Sequence, residues 1–378
     1  MSSEVPEGWS VNSLGELADL IMGQSPPSSV VTEEGEGLPF IQGNAEFGAR
    51  HPTPRLVAST TPKVVQKGDI LISVRAPVGE VNIAESPLCI GRGVGGIRAK
   101  DCDPDFLFYA VGGLSQTFAR LSQGSTFDAI NGKELRSIEI LVPPKDEQRQ
   151  VAEVLRSVED VIISNEKALG AARELVRHLA ADIASRATEH APIGSLWDVV
   201  TGRTPTPDNR ELWDGDLPFV TPGDIDDQDI SVRSSARSLN AFAPHGGRVV
   251  PAGSLLVTCI GSTVGKMGVS HVDVSTNQQI NAVCCPLEFS GYAYVACLSI
   301  LDEILANAGR QAVPIINKTT FSSLEIPLLS PVEMKDINET VLALDEEITT
   351  ARQAIHQLRQ LKACVCSDLL SGRVRVPA

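Results

Sequence analysis

The chain repeats itself, and the repeat constrains its fold more than any single motif. Ser13-Leu-Gly-Glu-Leu-Ala-Asp19 resembles Ser195-Leu-Trp-Asp-Val-Val200, and Leu38-Pro-Phe-Ile41 resembles Leu217-Pro-Phe-Val220, at offsets of 182 and 179 residues. Gly68-Asp-Ile-Leu-Ile-Ser73 pairs with Gly253-Ser-Leu-Leu-Val-Thr258 at 185, and Val78-Gly79 with Val264-Gly265 at 186. Ile130-Asn131, Ile138-Glu-Ile140 and Glu147 match Ile316-Asn317, Leu324-Glu-Ile326 and Glu333, all at 186. Conserved order with an offset that drifts by a few residues marks duplication rather than shared composition.

Each copy joins two textures. Its first part is rich in Gly, Pro and short β-branched runs such as Ile70-Leu-Ile-Ser-Val74 and Leu255-Leu-Val-Thr258, which read as short strands between turns. Its last part lacks that punctuation and has a helical period. Val151, Leu155, Val158, Ile162, Leu169, Ala172, Val176, Leu179 and Ile183 form the first stripe. Ile337, Val341, Leu344, Ile348, Ile355, Leu358, Val365 and Leu369 form the second, with Lys362 breaking it where the first copy has Val176. Ser330-Pro331-Val-Glu333 has the spacing of a capping box, Pro143-Pro144 precedes the first helix, and Gly372 suits a C-terminal stop. A helix of about 40 residues would be roughly 60 Å long. So long an apolar stripe needs a partner, and the other copy's stripe in an antiparallel pair is the simplest one, the alternative being that each helix only covers its own globular neighbour. The expected fold class is α+β: two β-rich α/β domains at 1–145 and 191–330 in tandem, each followed by a long helix, 146–190 and 331–378, the helices forming an antiparallel coiled coil.

A chain of 378 residues suits two or three domains. Lys and Arg number 32 against 47 Asp and Glu, a net charge of −15. The acid is spread over every segment with no basic arm, which taken alone argues against a nucleic-acid partner. No apolar run approaches the roughly 18 residues of a membrane span, and no secretory signal is present, so a cytoplasmic location without a membrane partner is expected. The eight cysteines (89, 102, 259, 284, 285, 297, 364 and 366) include no C-x-x-C pair and read as reduced and mostly structural.

Catalytic motifs do not emerge. Gly91-Arg-Gly93-Val-Gly-Gly96 has the G-x-G-x-x-G spacing, but no helix opens on it, so a turn is the better reading than a dinucleotide site. The six histidines are scattered, Cys284-Cys285 and Cys364-Val-Cys366 are too sparse for zinc, and no metal site is expected. Asp224-Ile-Asp226-Asp227-Gln-Asp229 lacks the Gly and terminal Glu of an EF-hand loop and reads as a solvated acidic turn. No P-loop, H-E-x-x-H or G-x-S-x-G is present. The reading is a scaffold with two binding heads.

This plan resembles the specificity subunit of type I restriction-modification systems over nearly the whole chain. The resemblance is carried by Pro6-Glu-Gly-Trp9 with Leu14-Gly15, Gly68-Asp-Ile-Leu71 followed by Val78-Gly79, Ile90-Gly-Arg-Gly-Val-Gly95 and Asn277-Gln-Gln-Ile-Asn281. Pro143-Pro with Glu147-Gln148, Val151-Ala152 and Leu155, and the closing Leu369-Leu-Ser-Gly372, add to it. Met334-Lys-Asp-Ile337 departs from the usual Glu-Gln-x-Ile, which puts identical docking by the two helices in doubt. The resemblance implies a non-catalytic subunit whose heads are target-recognition domains, each reading one half of a split DNA sequence. The helices then set the half-site spacing and hold two methyltransferase subunits, which bind S-adenosylmethionine. Two motor-nuclease subunits using ATP and Mg join to make the restricting enzyme, and this chain itself needs no cofactor. The rivals are a target-recognition subunit of another DNA-modifying defence complex, and a protein-interaction scaffold that never touches DNA.

Because the heads differ in sequence, an asymmetric target is expected. Arg to guanine and Asn or Gln to adenine are the commonest base contacts, with Lys, Ser, Thr and backbone N–H groups on phosphates. Polar groups in Gly-bounded loops are therefore the DNA-binding candidates: Gln42, Asn44, Arg75, Arg92, Ser125, Asn131 and Lys133 in the first head. In the second they are Thr221, Ser262, Thr263, Lys266, Asn277, Gln278, Gln279, Arg310, Gln311, Asn317 and Lys318. A capped turn or a solvated loop is the competing reading for each. Asn131 and Asn317 are equivalent positions, with Lys133 and Lys318 close by, which suggests a shared role.

Overall fold

The computed structural model describes residues 5–114, 118, 129–206, 210–240, 248–309 and 312–376. They form two compact units: residues 1–164 with 356–378, and residues 165–355. Each contains one head, the start or end of the central helix Lys145–Arg186, and the complementary part of the distal helix Pro331–Leu370.

Among the described residues the head of unit 1 is built on two larger sheets, with a separate antiparallel pair of Ser10–Ser13 and Glu139–Val142. One of the larger sheets is four-stranded and antiparallel, in the order Ala18–Met22, Val94–Ala99, Ile70–Ser73, Val81–Ile83. The other runs Val31–Thr32, Leu56–Ala58, Leu38–Ile41, Leu88–Ile90, Val64–Val65, with its third and fourth strands parallel. Unit 2 repeats this plan. Asp198–Thr201, Ile280–Cys284, Leu255–Thr258 and Met267–Ser270 correspond to the first sheet, with Ser231–Val232 added at its edge. Arg237–Leu239, Trp213–Val220, Val274–Thr276 and Val249–Val250 correspond to the second, the middle pair again parallel. The glycines that mark the repeat are turn positions: Gly68 and Gly253 have φ of 89° and 88°, and Gly79 and Gly265 have 96° and 90°. Such angles strain any residue with a Cβ.

In unit 1 a short helix, Pro104–Gly112, lies between the antiparallel sheet and the central helix. Its N-terminus is set by Pro104 at the first position and by the Asp103 carboxylate, which accepts from the N–H groups of Asp105 and Phe106 at 3.1 and 3.0 Å. Phe106, Leu107 and Val111 share one core with Ile70, Ile72 and Ile97 of the sheet and with Val151, Ala152 and Leu155 of the central helix. Burying a side chain such as Leu155 contributes about 2 kcal/mol.

Both long helices bury their stripes. In unit 1, Val151 and Leu155 share a core with Leu369. Further along the central helix and earlier along the distal one, Glu159 meets Lys362, so these segments run antiparallel. Ile162 is buried, and Val158 and Leu358 are half-buried. In unit 2, Val176 and Ile183 share a core with Ile337, Val341, Leu344 and Ile348, with Leu169 packed at its edge and Ile355 buried nearby in sequence.

The helix starts differ in an instructive way. Glu147 accepts from Trp9 Nε1 at 3.1 Å and from the Arg375 guanidinium at 2.6 and 2.7 Å, tying the N-terminal turn and the C-terminal tail of unit 1 together. Gln148 is buried, accepting from Asp103 N and donating to the Pro143 carbonyl, both at 2.8 Å. In the second copy Glu333 closes a capping box with Ser330, and Met334 is simply buried. No single described helix is long and apolar enough to cross a membrane.

Candidate nucleic-acid interface

The Gly91-Arg92-Gly93 turn joins the strands Leu88–Ile90 and Val94–Ala99, linking the two sheets of unit 1. Its glycines let two backbones touch. A Cβ on Gly93 would stand 2.5 Å from the Gln42 carbonyl oxygen, and one on Gly91 3.1 Å from Gln42 Cα. Gly91 N donates to the Ile41 carbonyl at 2.8 Å, and Arg92 N to Ser25 Oγ at 3.2 Å. The spacing that resembled a dinucleotide fingerprint is thus a strand-to-strand turn pressed against a neighbouring loop.

Around this turn lies a 220 Å³ cleft lined by Ser25, Gln42, Gly43, Asn44, Arg75, Ala76, Arg92 and Gly93. Four sequence candidates, Gln42, Asn44, Arg75 and Arg92, meet there. Gln42, Arg75 and Arg92 are exposed, and among the described residues neither guanidinium has an ion-pair partner. That is unusual in so acidic a chain. The nearby carboxylate of Glu80 accepts instead from Asn44 Nδ2 at 2.9 Å. The cleft thus carries two guanidiniums without an ion-pair partner among the described residues, a local feature that the net charge conceals.

The other candidates of this head lie elsewhere. Asn131 caps the helix Gly132–Arg136, its Oδ1 accepting from Lys133 N and Glu134 N at 2.9 and 3.0 Å, and Lys133 is exposed on that first turn. Ser125 lies outside the described residues.

Unit 2 builds the same frame with other side chains. Gln24 N and Arg203 N donate to the carbonyls of Ile90 and Thr276, Gly23 N and Gly202 N to those of Val94 and Ile280, and Gly91 N and Asn277 N to those of Ile41 and Val220. Arg92 therefore corresponds to Gln278, Ser25 to Thr204, Gln42 to Thr221, and Arg75 to Ile260. The last pair make matching isolated bridges, to Ala129 and Ile315. Thr204 Oγ1 donates to Gln278 Oε1 at 2.6 Å, leaving the exposed amide nitrogen free to donate. Thr221 donates to Asp224 through N and Oγ1, at 2.8 and 2.7 Å. Asn277 and Gln279 close on each other at 2.8 and 3.0 Å.

Ser262, Thr263 and Lys266 occupy the turn between Leu255–Thr258 and Met267–Ser270, with Lys266 Nζ 3.4 Å from the Ile225 carbonyl. Asn317 caps the helix Lys318–Ser323 through Thr320 N at 2.9 Å, and Lys318 is exposed. Asn131 and Asn317 thus share a capping geometry. Arg310 and Gln311 lie outside the described residues.

Sequence reasoning missed Ser25 and Thr204. Their signal was available: Gly23-Gln-Ser-Pro26 and Gly202-Arg-Thr-Pro205 match at an offset of 179. It also missed the buried carboxylates that tie each head to the helices. Glu159 accepts from Tyr109 Oη at 3.0 Å and is paired with Arg50 and Lys362. Burial pushes its pKa up, but Lys362, Arg50 and the Tyr109 hydroxyl outweigh this and hold it below the ordinary value. Asp345, the matched residue 186 positions on, pairs with Arg233 at 2.7 Å and bonds Ser231, with His271 3.6 Å away. It too is held low against burial, by His271, Ser231 and Arg233.

The acidic turn read as solvated is instead tied down: Arg352 is paired with Asp226 and Asp229, and Arg173 donates to the Gln228 carbonyl at 3.0 Å. Among the described residues no group of three or more His, Cys, Asp or Glu is placed to hold a metal ion. Burial pushes the thiols of Cys102, Cys259 and Cys285 up to about 12, which keeps them protonated and unreactive at neutral pH.

The sequence pattern of the family described as "Type I restriction modification DNA specificity domain" matches residues 6–172 and again 188–360. The MjaX specificity subunit of Methanocaldococcus jannaschii, named for a type I restriction enzyme, is 48% identical over 163 residues, 42% of this chain and 38% of that protein. The MjaIX type I restriction enzyme specificity subunit of the same organism is 30% identical over 176 residues, 43% of this chain and 41% of the relative. The matched stretch therefore spans about two fifths of each relative's length. The crystal structure of a type I restriction-modification S subunit from M. genitalium superposes with a TM-score of 0.68 at 15% identity, covering 98% of both chains. At that identity the likeness is one of fold.

Proposed function

The chain belongs to the family of type I restriction-modification DNA specificity domains, and from that premise we propose that it is the DNA-reading, non-catalytic subunit of a type I restriction-modification complex. Each head reads one half of a split, asymmetric target in double-stranded DNA. The antiparallel helices set the distance between half-sites and dock two adenine methyltransferase subunits, with motor-nuclease subunits joining in the restricting complex. S-adenosylmethionine, ATP and Mg belong to those partners.

One observation carries the reading beyond the family match: the duplicated frame holds chemically different polar groups at matched, exposed positions, Arg92 in one head and Gln278 in the other. A frame that repeats while its exposed groups change suits two readers of different sequences on one duplex. In this reading the two long helices are the element that spaces the two readers. The net charge of −15 fits a chain that binds DNA weakly alone, with partner subunits supplying most of the salt-dependent phosphate attraction.

The test is co-expression with a candidate adenine methyltransferase. A stable complex and one new split, asymmetric methylated motif in the host genome are expected. No complex, or no new split motif, would favour a scaffold that binds protein alone.

A further inference from the structure

We infer that one matched position in the two heads reads different base pairs: Arg92, with Arg75 beside it in the unit 1 cleft, takes a guanine, and Gln278 in unit 2 takes an adenine. This rests on the DNA-reading function proposed above and deepens it to the level of single side chains.

Three features single out this position among the exposed polar groups. The backbone that presents it is fixed in both heads by the same hydrogen bonds from matched loops, those of Gln24 and Arg203 to the strand before it and those of Gly23 and Gly202 to the strand after it. A side chain on so fixed a turn is well placed to read a base edge. In each head a matched hydroxyl also holds the turn, Ser25 on the Arg92 backbone and Thr204 on the Gln278 side chain. Finally, the candidate groups keep donors free. Among the described residues Arg92 and Arg75 have no carboxylate partner, and Gln278 keeps its amide donor free.

The surroundings agree with the difference in chemistry. In unit 1 the flanking residues are Gly91 and Gly93, and Arg75 lines the same cleft, so the two guanidiniums put several donors beside one another, as the O6 and N7 acceptors of guanine require. In unit 2 the flanking Asn277 and Gln279 satisfy one another, and Ile260 stands where unit 1 has Arg75. That leaves one carboxamide with a free amide donor for N7 of adenine and, on the Oε1 that Thr204 also engages, a second lone pair for N6. A phosphate contact would favour a cation in both heads; the exchange of a guanidinium for a neutral amide on one frame favours base reading.

The experiment uses the full chain with its methyltransferase and reads the methylated motif genome-wide for the parent, Arg92→Gln and Gln278→Arg. In R92Q one G·C position of a single half-site should lose its preference, roughly 5- to 150-fold in relative methylation, while the other half-site stays intact and reports a folded complex. Q278R should do the same to one A·T position of the opposite half-site. An unchanged motif with uniformly weaker methylation would make these phosphate contacts and overturn the inference, as would changes in both half-sites from one substitution. A parent complex that gives no split motif would overturn the DNA-reading function itself, and this inference with it.

Discussion

Lys362 of the distal helix forms an ion pair with Glu159 of the central helix, and this pair accounts for the one break in the apolar stripe. Arg50, which also pairs with Asp105 at 2.8 Å, and Tyr109 bring the head of unit 1 onto the same carboxylate. The duplicate is not a copy: Asp345 matches Glu159, but the residue matching Lys362 is Val176, buried in the core of unit 2. Asp345 takes its cation from its own head instead, as Arg233.

Removing Lys362 leaves a buried carboxylate with less compensation. Lys362→Met should destabilise unit 1 by about 1–3 kcal/mol, and much less in a Glu159→Gln background, because the two residues act together. Chemical denaturation of the four variants of this cycle gives the coupling. Additive effects would show that the pair contributes nothing.

Both buried carboxylates are held below their ordinary pKa, so their contribution has a definite sign with pH. A depressed folded value stabilises the fold above the unfolded pKa, near 4 for a carboxylate, and that stability is lost as pH falls through the folded value. Glu159→Gln should therefore melt below the parent at pH 7, with the gap closing below about pH 4. A constant gap from pH 7 to pH 3 would contradict the assignment.

Asn131 and Asn317 cap helices, and the two candidate roles separate on substitution. Asn131→Ala should cost about 1 kcal/mol, while Asn131→Asp, an equally good cap, should keep the melting temperature of the parent. If the aspartate variant stays folded but its complex methylates DNA less, the residue also faces phosphate. Unchanged methylation would make it a cap alone.

The repeat, the strand runs, the capping box at Ser330 and Glu333 and the apolar stripes were legible because they depend on local spacing. The cleft was half legible. Gln42, Asn44, Arg75 and Arg92 were candidates by residue type and loop context, but nothing local places Gln42 against Gly93. That contact follows from the parallel pairing of Leu38–Ile41 with Leu88–Ile90, across nearly fifty residues of sequence. The Glu159 cluster was illegible for a similar reason, since Arg50, Tyr109 and Lys362 converge from three distant segments. Met334 shows the reverse: at the repeat offset of 186 it stands where the first copy has Gln148, yet Gln148 serves Asp103 and Cys102 of its own unit, and a methionine can fill the matched space without that partner.

If the helices set the half-site distance, lengthening both should move the half-sites apart. Seven residues inserted near position 164 and seven near 355 add two turns, about 10 Å, which is about three base pairs of duplex. The methylated motif should keep both half-sites and gain a gap longer by about that amount. An unchanged gap would refute the spacer role.

The most direct test of two independent readers on one scaffold is to exchange residues 191–330 for the corresponding head of a relative and sequence the methylome with the same methyltransferase. One half-site should change while the other half-site is retained. A motif altered in both halves, or in neither, would contradict it.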